Sequence, residues 1–332
     1  MGCVGPVDFE EPVDFEEPVD WAEFGVRRDR FDDDFVFALL VFALLVFAWG
    51  YPYGPGHFRP RGLGLGPRVP AAGCDTLERL QVSGHAFTTY GEGAYVVWRL
   101  WPAVQVSMDS RNSVYGEELY RAYRSALRDD AGFLAYLQRW PMDLAVAAHL
   151  GPFRRGYLED LERDADLPHR GLLAEAGLLL VDFDDATAVY VRPGADAGGA
   201  ALAEAYRVIH PVLAWSRFAG EDLPAALAEA RRAVRRRPQS VVARWILANA
   251  LQEAGRFAEA LAELEALGRL DMSQAARSWG VPQALEVARL GLTAVMHLRL
   301  DNCPAARRAL EDALDLDPGY QPAVELLQRI DC

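Results

Sequence analysis

The chain has 332 residues, of which 51% are hydrophobic and 25% charged, an ordinary composition for about two folded domains. Asp and Glu (48) outnumber Arg (34, with no Lys), so the formal net charge is -14. A protein that binds nucleic acid by itself usually carries a basic surplus, and that class is therefore disfavoured. The four cysteines form no CxxC pair, so their spacing predicts neither a zinc site nor a disulfide scaffold.

Residues 1–34 are strongly acidic and contain a short repeat. The segment at 7–12 (VDFEEP) recurs at 13–18 and then decays. A short acidic repeat with regular prolines cannot bury a core, so we expect a disordered acidic tail. The alternative interpretation makes the aromatic residues of the repeat docking side chains on an acidic tether; these are Phe9, Phe15 and Trp21.

An uninterrupted apolar run follows, from Phe35 to Trp49 (FVFALLVFALLVFAW). Aromatic residues up to Tyr53 extend it to about 19 residues, the length of a membrane-spanning helix. The sequence therefore predicts one transmembrane helix at 35–53, which places this segment in the lipid bilayer. Alternatives are a buried core helix or a cleaved signal sequence, although signal peptides begin with basic residues rather than an acidic leader. Three arginines precede the run and three follow it, so the positive-inside rule does not orient it.

A Gly- and Pro-rich linker is predicted at 54–74, and after it the hydrophobic periodicity changes from segment to segment up to residue 193. Strands that alternate with helices predict a small α/β domain at 75–193. Its predicted elements are a strand at 104–108 that ends at Asp109, helices at 115–128 and 133–140, a strand at 144–148, and a hairpin of strands 178–183 and 187–191.

Four segments of this domain resemble a known module: GAYVVWRLWP at 93–102, VSMDSR at 106–111, YGEELY at 115–120 and DFDDATAVYVR at 182–192. They are similar to the soluble C-terminal module of bacterial membrane proteins of the protein-mannosyltransferase and aminoarabinose-transferase type. The resemblance implies an extracytoplasmic soluble part on the bacterial cytoplasmic membrane. In those proteins the catalytic carboxylates lie in an early loop between membrane helices, and this chain has a single predicted span. No catalytic residue is therefore carried over.

Asp109 and Arg111 come directly after a predicted strand, where α/β folds often place ligand-binding groups. Together with Glu117 and Glu118 they are candidates for a site that binds a sugar or a metal. The favoured alternative is structural, with Asp109 capping the next segment and Arg111 bridging carboxylates. The six histidines show no HExxH or HxH spacing, so we predict no metal site, no cofactor and no enzyme activity.

The clearest internal repeat lies between residue 203 and residue 332. Four positions of one copy recur 34 residues later: Leu213, Ala214, Leu223 and Ala226 as Leu247, Ala248, Phe257 and Ala260. A third copy follows an insertion near 272–282 and contains Ala294, Ala306, Ala313, Leu314 and Pro318.

This period, with small residues where helices cross and a closing proline, resembles the tetratricopeptide repeat. The resemblance implies an array of three helical hairpins, capped by a last helix at 322–330. The chain departs from the family pattern at three positions, where Leu267 replaces a small residue, Asp301 a glycine and Cys303 an aromatic residue.

The first helix of each hairpin usually lines the concave side of such an array. If the second unit binds a peptide there, the candidate partner-binding residues are Arg244, Asn249 and Gln252. An arginine-rich stretch at 231–237 ends the preceding helix just before Pro238. It is interpreted either as an anion- or nucleic-acid-binding patch or, preferably, as a solvated helix end, where the helix dipole favours cations.

The sequence thus predicts a transmembrane helix, a small α/β domain and an all-α repeat array. It favours a membrane-anchored scaffold that binds a protein or peptide partner in a cell-envelope assembly. The alternative is an accessory subunit or reduced relative of a membrane glycosyltransferase that contacts a lipid-linked sugar. A third interpretation is that the chain is a rearranged piece of a larger membrane protein.

Overall fold

The structure is a computed structural model that describes residues 69–111, 114–127, 130–149, 173–196, 199–211, 218, 220–270 and 282–330. The predicted acidic tail and transmembrane helix lie outside these residues, as does most of the predicted linker. Within the described ranges, every helix is too short or too polar to cross a bilayer.

The described chain begins as an α/β domain and continues as a series of helices. The first part contains α1 (Ala71–Arg79), β1 (Gly84–Thr88), α2 (Tyr90–Leu100), β2 (Val104–Val106), α3 (Gly116–Ala126), α4 (Asp130–Arg139), β3 (Leu144–Ala148), β4 (Leu179–Phe183) and β5 (Thr187–Val191). The second contains α5 (Ala200–Glu204), α6 (Leu223–Arg236), α7 (Val241–Glu253), α8 (Phe257–Gly268), α9 (Pro282–Arg299), α10 (Cys303–Leu316) and α11 (Gln321–Arg329).

These strands form one mixed sheet in the order β2-β1-β3-β5-β4. β1 is parallel to both of its neighbours, with Ala86 opposite Val106 of β2 and opposite Leu144 of β3. β5 is antiparallel to β3 and to β4. Because β3 and β5 lie in the middle of the sheet, their sequences are almost continuously apolar and buried (LAVAA and TAVYV).

Helices cover both faces of the sheet, since alternate side chains of a strand point to opposite sides. On one face, Leu144 and Val146 of β3 pack in a core with Leu77 of α1 and Val96 of α2. On the other face, a larger core joins the sheet to α3 and α4 and continues into the helices after residue 223. Its aromatic centre consists of Phe87, Tyr123, Phe133 and Tyr136.

Three elements of this domain were not predicted from the sequence: α1, β1 and α2. Helix α1 begins at Ala71, so the last four residues of the expected linker are helical. Gly73 belongs to this helix because it is buried against the sheet, where an added Cβ would lie 2.7 Å from Cγ2 of Val189. Gly73, which falls inside the expected linker, therefore allows close packing of a helix on a strand.

From α6 onward, each helix packs against the next one in the chain. Three alanines at the predicted crossing positions are fully buried: Ala226, Ala260 and Ala306. The turns that precede α8 and α10 use a left-handed residue at equivalent positions, Gly255 (φ 70°) and Asp301 (φ 55°). The structure therefore confirms a mixed α/β sheet joined to a helical array.

The first repeat differs from its expected form. Residues 205–210 contain no α-helix, and Leu213 and Ala214 lie outside the described residues. The segment 205–211, which we call the strap, is tied to α6 instead. The Glu229 carboxylate of α6 accepts hydrogen bonds from the backbone N–H groups of the strap at 2.8–3.0 Å, from Arg207, Val208 and Ile209.

Candidate functional site

The arginine-rich end of α6 joins the helical array to the sheet. The Arg237 guanidinium donates hydrogen bonds to the carboxylate of Asp182 in β4 and, at 2.6 Å, to the backbone carbonyl of Ala72. Asp182 is buried and also accepts a hydrogen bond from the Thr76 hydroxyl at 2.5 Å. A charge at this depth is tolerated because the carboxylate has both an ionic partner and a hydroxyl donor.

Two more arginines of α6 contribute to the same junction. Arg236 donates to the carbonyl of Val181 at 2.8 Å and to Glu204 at 2.7 Å. Arg232 donates to the carbonyl of Ala205 at 2.8 Å, and its guanidinium lies 4.4 Å from the ring centre of Tyr206. These three arginines bind the sheet and the segment 204–206 that follows it, so the stretch is not an open anion-binding patch. Arg235 of the same stretch is exposed, so the helix end is solvated in part.

The next helix, α7, begins directly on the β4–β5 hairpin. The Asp185 carboxylate of the hairpin turn accepts hydrogen bonds from the Ser240 hydroxyl (2.7 Å) and from the backbone N–H groups of Val241 (3.1 Å) and Val242 (3.0 Å). This is the arrangement of a helix N-cap, supplied here by another part of the chain. Burial raises the pKa of Asp185 to about 6, although these three donors act to lower it.

A cleft of about 300 Å³ opens between α6, α7 and α8. Its apolar lining includes Val234 of α6 with Leu247 and Leu251 of α7. The α6 side of the cleft carries Arg231 and Arg235. The α8 side carries Glu259 and Glu263, and Ala262 lies between these glutamates in the sequence. The cleft thus combines an apolar floor with a basic wall and an acidic wall, a composition that suits a peptide segment with side chains of both charges.

The walls are held by ion pairs. Arg244 of α7 donates to Glu263 at 2.6 Å and to the carbonyl of Pro238 at 2.9 Å. Arg256 donates to Glu259 at 2.5–2.6 Å, and Arg231 lies 3.6 Å from the same carboxylate. Because the cleft residues belong to helices that pack on one another, the lining is organised without a ligand.

Arg244, Asn249 and Gln252, the residues predicted to bind a partner, are all half-buried on α7. Arg244 reaches the cleft only through its ion pair with Glu263. The residues that line the cleft are others, and two kinds of sequence signal pointed to them. Leu247 and Leu251 belong to the apolar positions of α7, and Arg231 and Arg235 belong to the arginine-rich stretch.

Asp109 and Arg111 lie at the end of β2 and bind each other. Asp109 is fully buried, and its carboxylate accepts hydrogen bonds from the backbone N–H (2.7 Å) and the guanidinium (2.5–3.2 Å) of Arg111. Burial acts to raise the pKa of Asp109, but hydrogen bonds from Arg111 and Tyr115 outweigh it and hold the pKa below its ordinary value. A carboxylate held in this way stays ionised, so it is poorly suited to act as a general acid or base.

Two further buried titratable groups are His149 and Cys74. Burial lowers the pKa of His149, whose Nε2 lies 2.8 Å from the Asp184 carbonyl oxygen. Cys74 is a free thiol whose pKa burial raises to about 12, whereas Cys303 is disulfide-bonded. Over the described part of the chain, His, Cys, Asp and Glu side chains form no group of three that could hold a metal ion.

Comparison of the chain with protein-family models, with curated proteins and with solved structures finds no match in any of the three.

Proposed function

We propose that the protein is a membrane-anchored interaction protein that holds a segment of a partner protein in the cleft between α6, α7 and α8. The observation that carries the proposal is the composition of this cleft. The half-buried Val234 lies at an apolar floor whose Leu247 and Leu251 side chains are already buried. The paired arginines and glutamates of the walls form a polar rim that can fix the orientation of a bound segment.

The junction below the cleft supports this role. A docking surface binds more tightly when it does not have to become ordered on binding. Arg237 and Asp185 fix both ends of the α6–α7 turn to the sheet, so the cleft keeps its shape in the free protein. An interaction scaffold needs a binding surface that is ordered before its partner arrives, whereas a flexible tether does not need one.

The repeat class and the location belong to the same proposal. We assign the helices from α6 onward to the tetratricopeptide class, because three alanines are fully buried at the positions that the 34-residue period selects: Ala226, Ala260 and Ala306. We assign residues 35–53 to a single-pass membrane anchor and the soluble part that follows it to the outer side of the bacterial cytoplasmic membrane. A disulfide at Cys303 fits that oxidising side.

Photo-crosslinking in the native membrane tests the cleft directly. Ala262 is exposed within it, so a photo-reactive amino acid at this position touches whatever the cleft holds. Ala135, an exposed alanine of α4, is the matched control. We expect a discrete cross-linked partner band from position 262 and none from position 135. Equal labelling from both positions, or none from 262, would contradict the proposal.

A further inference from the structure

The exposed side of α2 carries no charged side chain. The exposed residues of this helix are Tyr90, Gly91, Ala94 and Trp98, and Trp101 and Pro102 follow at its end. Trp98 is 72% exposed and Trp101 63% exposed, the largest values among the exposed hydrophobic residues in the described part of the chain. A surface helix of a soluble domain normally exposes charged or polar residues to water. This face, which we call the α2 face, therefore suits a less polar environment than water.

Folding of the domain does not account for these two tryptophans. The opposite side of α2 supplies the core through Val96 and Leu100, both buried. The Trp98 ring packs on Tyr95 of the same helix, with ring centres 5.3 Å apart, while most of its surface stays exposed. Exposed indole rings on one side of a helix suit the interface between water and lipid, because the ring is largely apolar and its N–H group is polar.

The position of α2 in the chain makes a lipid bilayer the expected partner of the α2 face. Helix α2 lies against α1, where Arg99 donates to Asp75 at 3.0 Å and to Glu78 at 2.9 Å. Helix α1 is the first described helix after the apolar run, and residues 54–70 between them span at most about 60 Å even when fully extended. A tether of this length allows the domain to touch the bilayer that holds the apolar run.

We infer that the α2 face rests on the membrane surface, with Trp98 and Trp101 inserted at the level of the lipid headgroups. The inference rests on the proposed membrane anchor. Arg99 of α2 pairs with Asp75 and Glu78 of α1, so it provides no basic surplus beside this face. The contact is therefore one of indole rings with neutral lipid and does not depend on anionic headgroups.

The test uses the full chain in phosphatidylcholine nanodiscs, with or without bromine atoms on the acyl chains. An environment-sensitive fluorescent amino acid is placed at position 94, between Tyr90 and Trp98, and in separate samples at positions 43 and 135. Position 43 lies in the apolar run and reports the anchor, whereas position 135 reports a surface of α4 that we expect to face water.

We expect bromine to quench the probe at 94 and to leave the probe at 135 unchanged. Replacing both Trp98 and Trp101 by Ala should remove the quenching at 94 while the circular dichroism of the protein stays the same. An unquenched probe at 94 beside a quenched probe at 43 would overturn the inference and leave the anchor standing. A loss of quenching at 43 would overturn the anchor itself. A probe at 94 that is shielded from both lipid and water would indicate a protein contact and also overturn the inference.

Discussion

The guanidinium of Arg237, at the end of α6, donates a hydrogen bond to the buried carboxylate of Asp182 in β4. These residues are 55 positions apart, and the bond connects the helical array to the sheet. Asp182 also accepts the Thr76 hydroxyl from α1, so one carboxylate holds elements from three regions of the chain. The contact explains how two parts with different sequence periodicity fold as one unit.

Removing Arg237 should destabilise the protein strongly. Arg237→Ala leaves Asp182, which is 2% exposed, without its ionic partner, and we expect the free energy of unfolding to fall by about 2–4 kcal/mol. Denaturant unfolding of the full chain in detergent measures this loss. The control is Arg235→Ala on the exposed side of the same helix, with an expected change within about 0.5 kcal/mol. Similar losses in both variants would show that the junction has no special role.

Gly93 should be irreplaceable, whereas Gly91 should not. An added Cβ at Gly93 would lie 2.1 Å from the Met108 carbonyl oxygen and would push α2 away from the end of β2. We expect Gly93→Ala to cost about 2–3 kcal/mol of stability. At Gly91 an added Cβ meets no atom within 4 Å, so Gly91→Ala should be neutral or stabilising by up to about 1 kcal/mol. Thermal unfolding of the two variants side by side measures both effects. A larger loss of stability in Gly91→Ala than in Gly93→Ala would be inconsistent with the packing of α2.

Substitution of the left-handed residues before α8 and α10 should change the stability in opposite directions. Asp301 adopts φ 55° where the equivalent position of the preceding repeat has Gly255 at φ 70°. Asp301→Gly should therefore stabilise the protein by about 0.5–1 kcal/mol, and Gly255→Ala should destabilise it by about 1 kcal/mol. Melting temperatures of the two variants check both signs. If Asp301→Gly lowered the melting temperature, the side chain of Asp301 would contribute more than its backbone costs.

Asp185 should give the stability an unusual dependence on pH. Its pKa is about 6 in the folded protein against 3.8 for a free aspartate, so between these values only the folded protein holds the proton. The contribution of this group to the free energy of unfolding therefore falls as the pH rises through that window, by about 3 kcal/mol in all.

The variant Asp185→Asn removes this titration. We expect the stability difference between wild type and variant to decrease from pH 4 to pH 6 and to stay constant above pH 7, as measured by denaturant unfolding at each pH. A difference that is the same at every pH would show that Asp185 does not change its protonation between the folded and unfolded states.

The sequence predicted much of the fold because several elements carry strong local patterns. The runs that became β3, β4 and β5 are apolar and rich in β-branched residues, and the 34-residue period selected alanines that are buried at helix crossings. β1 was missed because GHAFT opens with a glycine and an exposed histidine and has no run of apolar residues. α1 was missed because it begins inside the Gly- and Pro-rich segment, and the packing of Gly73 against Val189 is a tertiary contact.

The sequence predicted less of the candidate site than of the fold. Helical periodicity identifies the apolar positions of α7, but it does not say which of them border the cleft after the sheet has packed against the array. Trp245 and Leu251 are both almost fully buried in this helix, yet of the two it is Leu251 that lines the cleft. The arginines of α6 divide in the same way, because Arg237 faces the sheet and Arg235 faces the cleft.

The occupancy of the cleft is the claim on which the functional account depends most. Its most direct test is the affinity of the cross-linked partner segment for the full chain with Ala262→Trp, which fills the cleft from an exposed position of α8. The matched control is Ala135→Trp on α4. We predict that binding of the segment is lost with Ala262→Trp and unchanged with Ala135→Trp. Equal affinity of wild type and both variants would contradict the account.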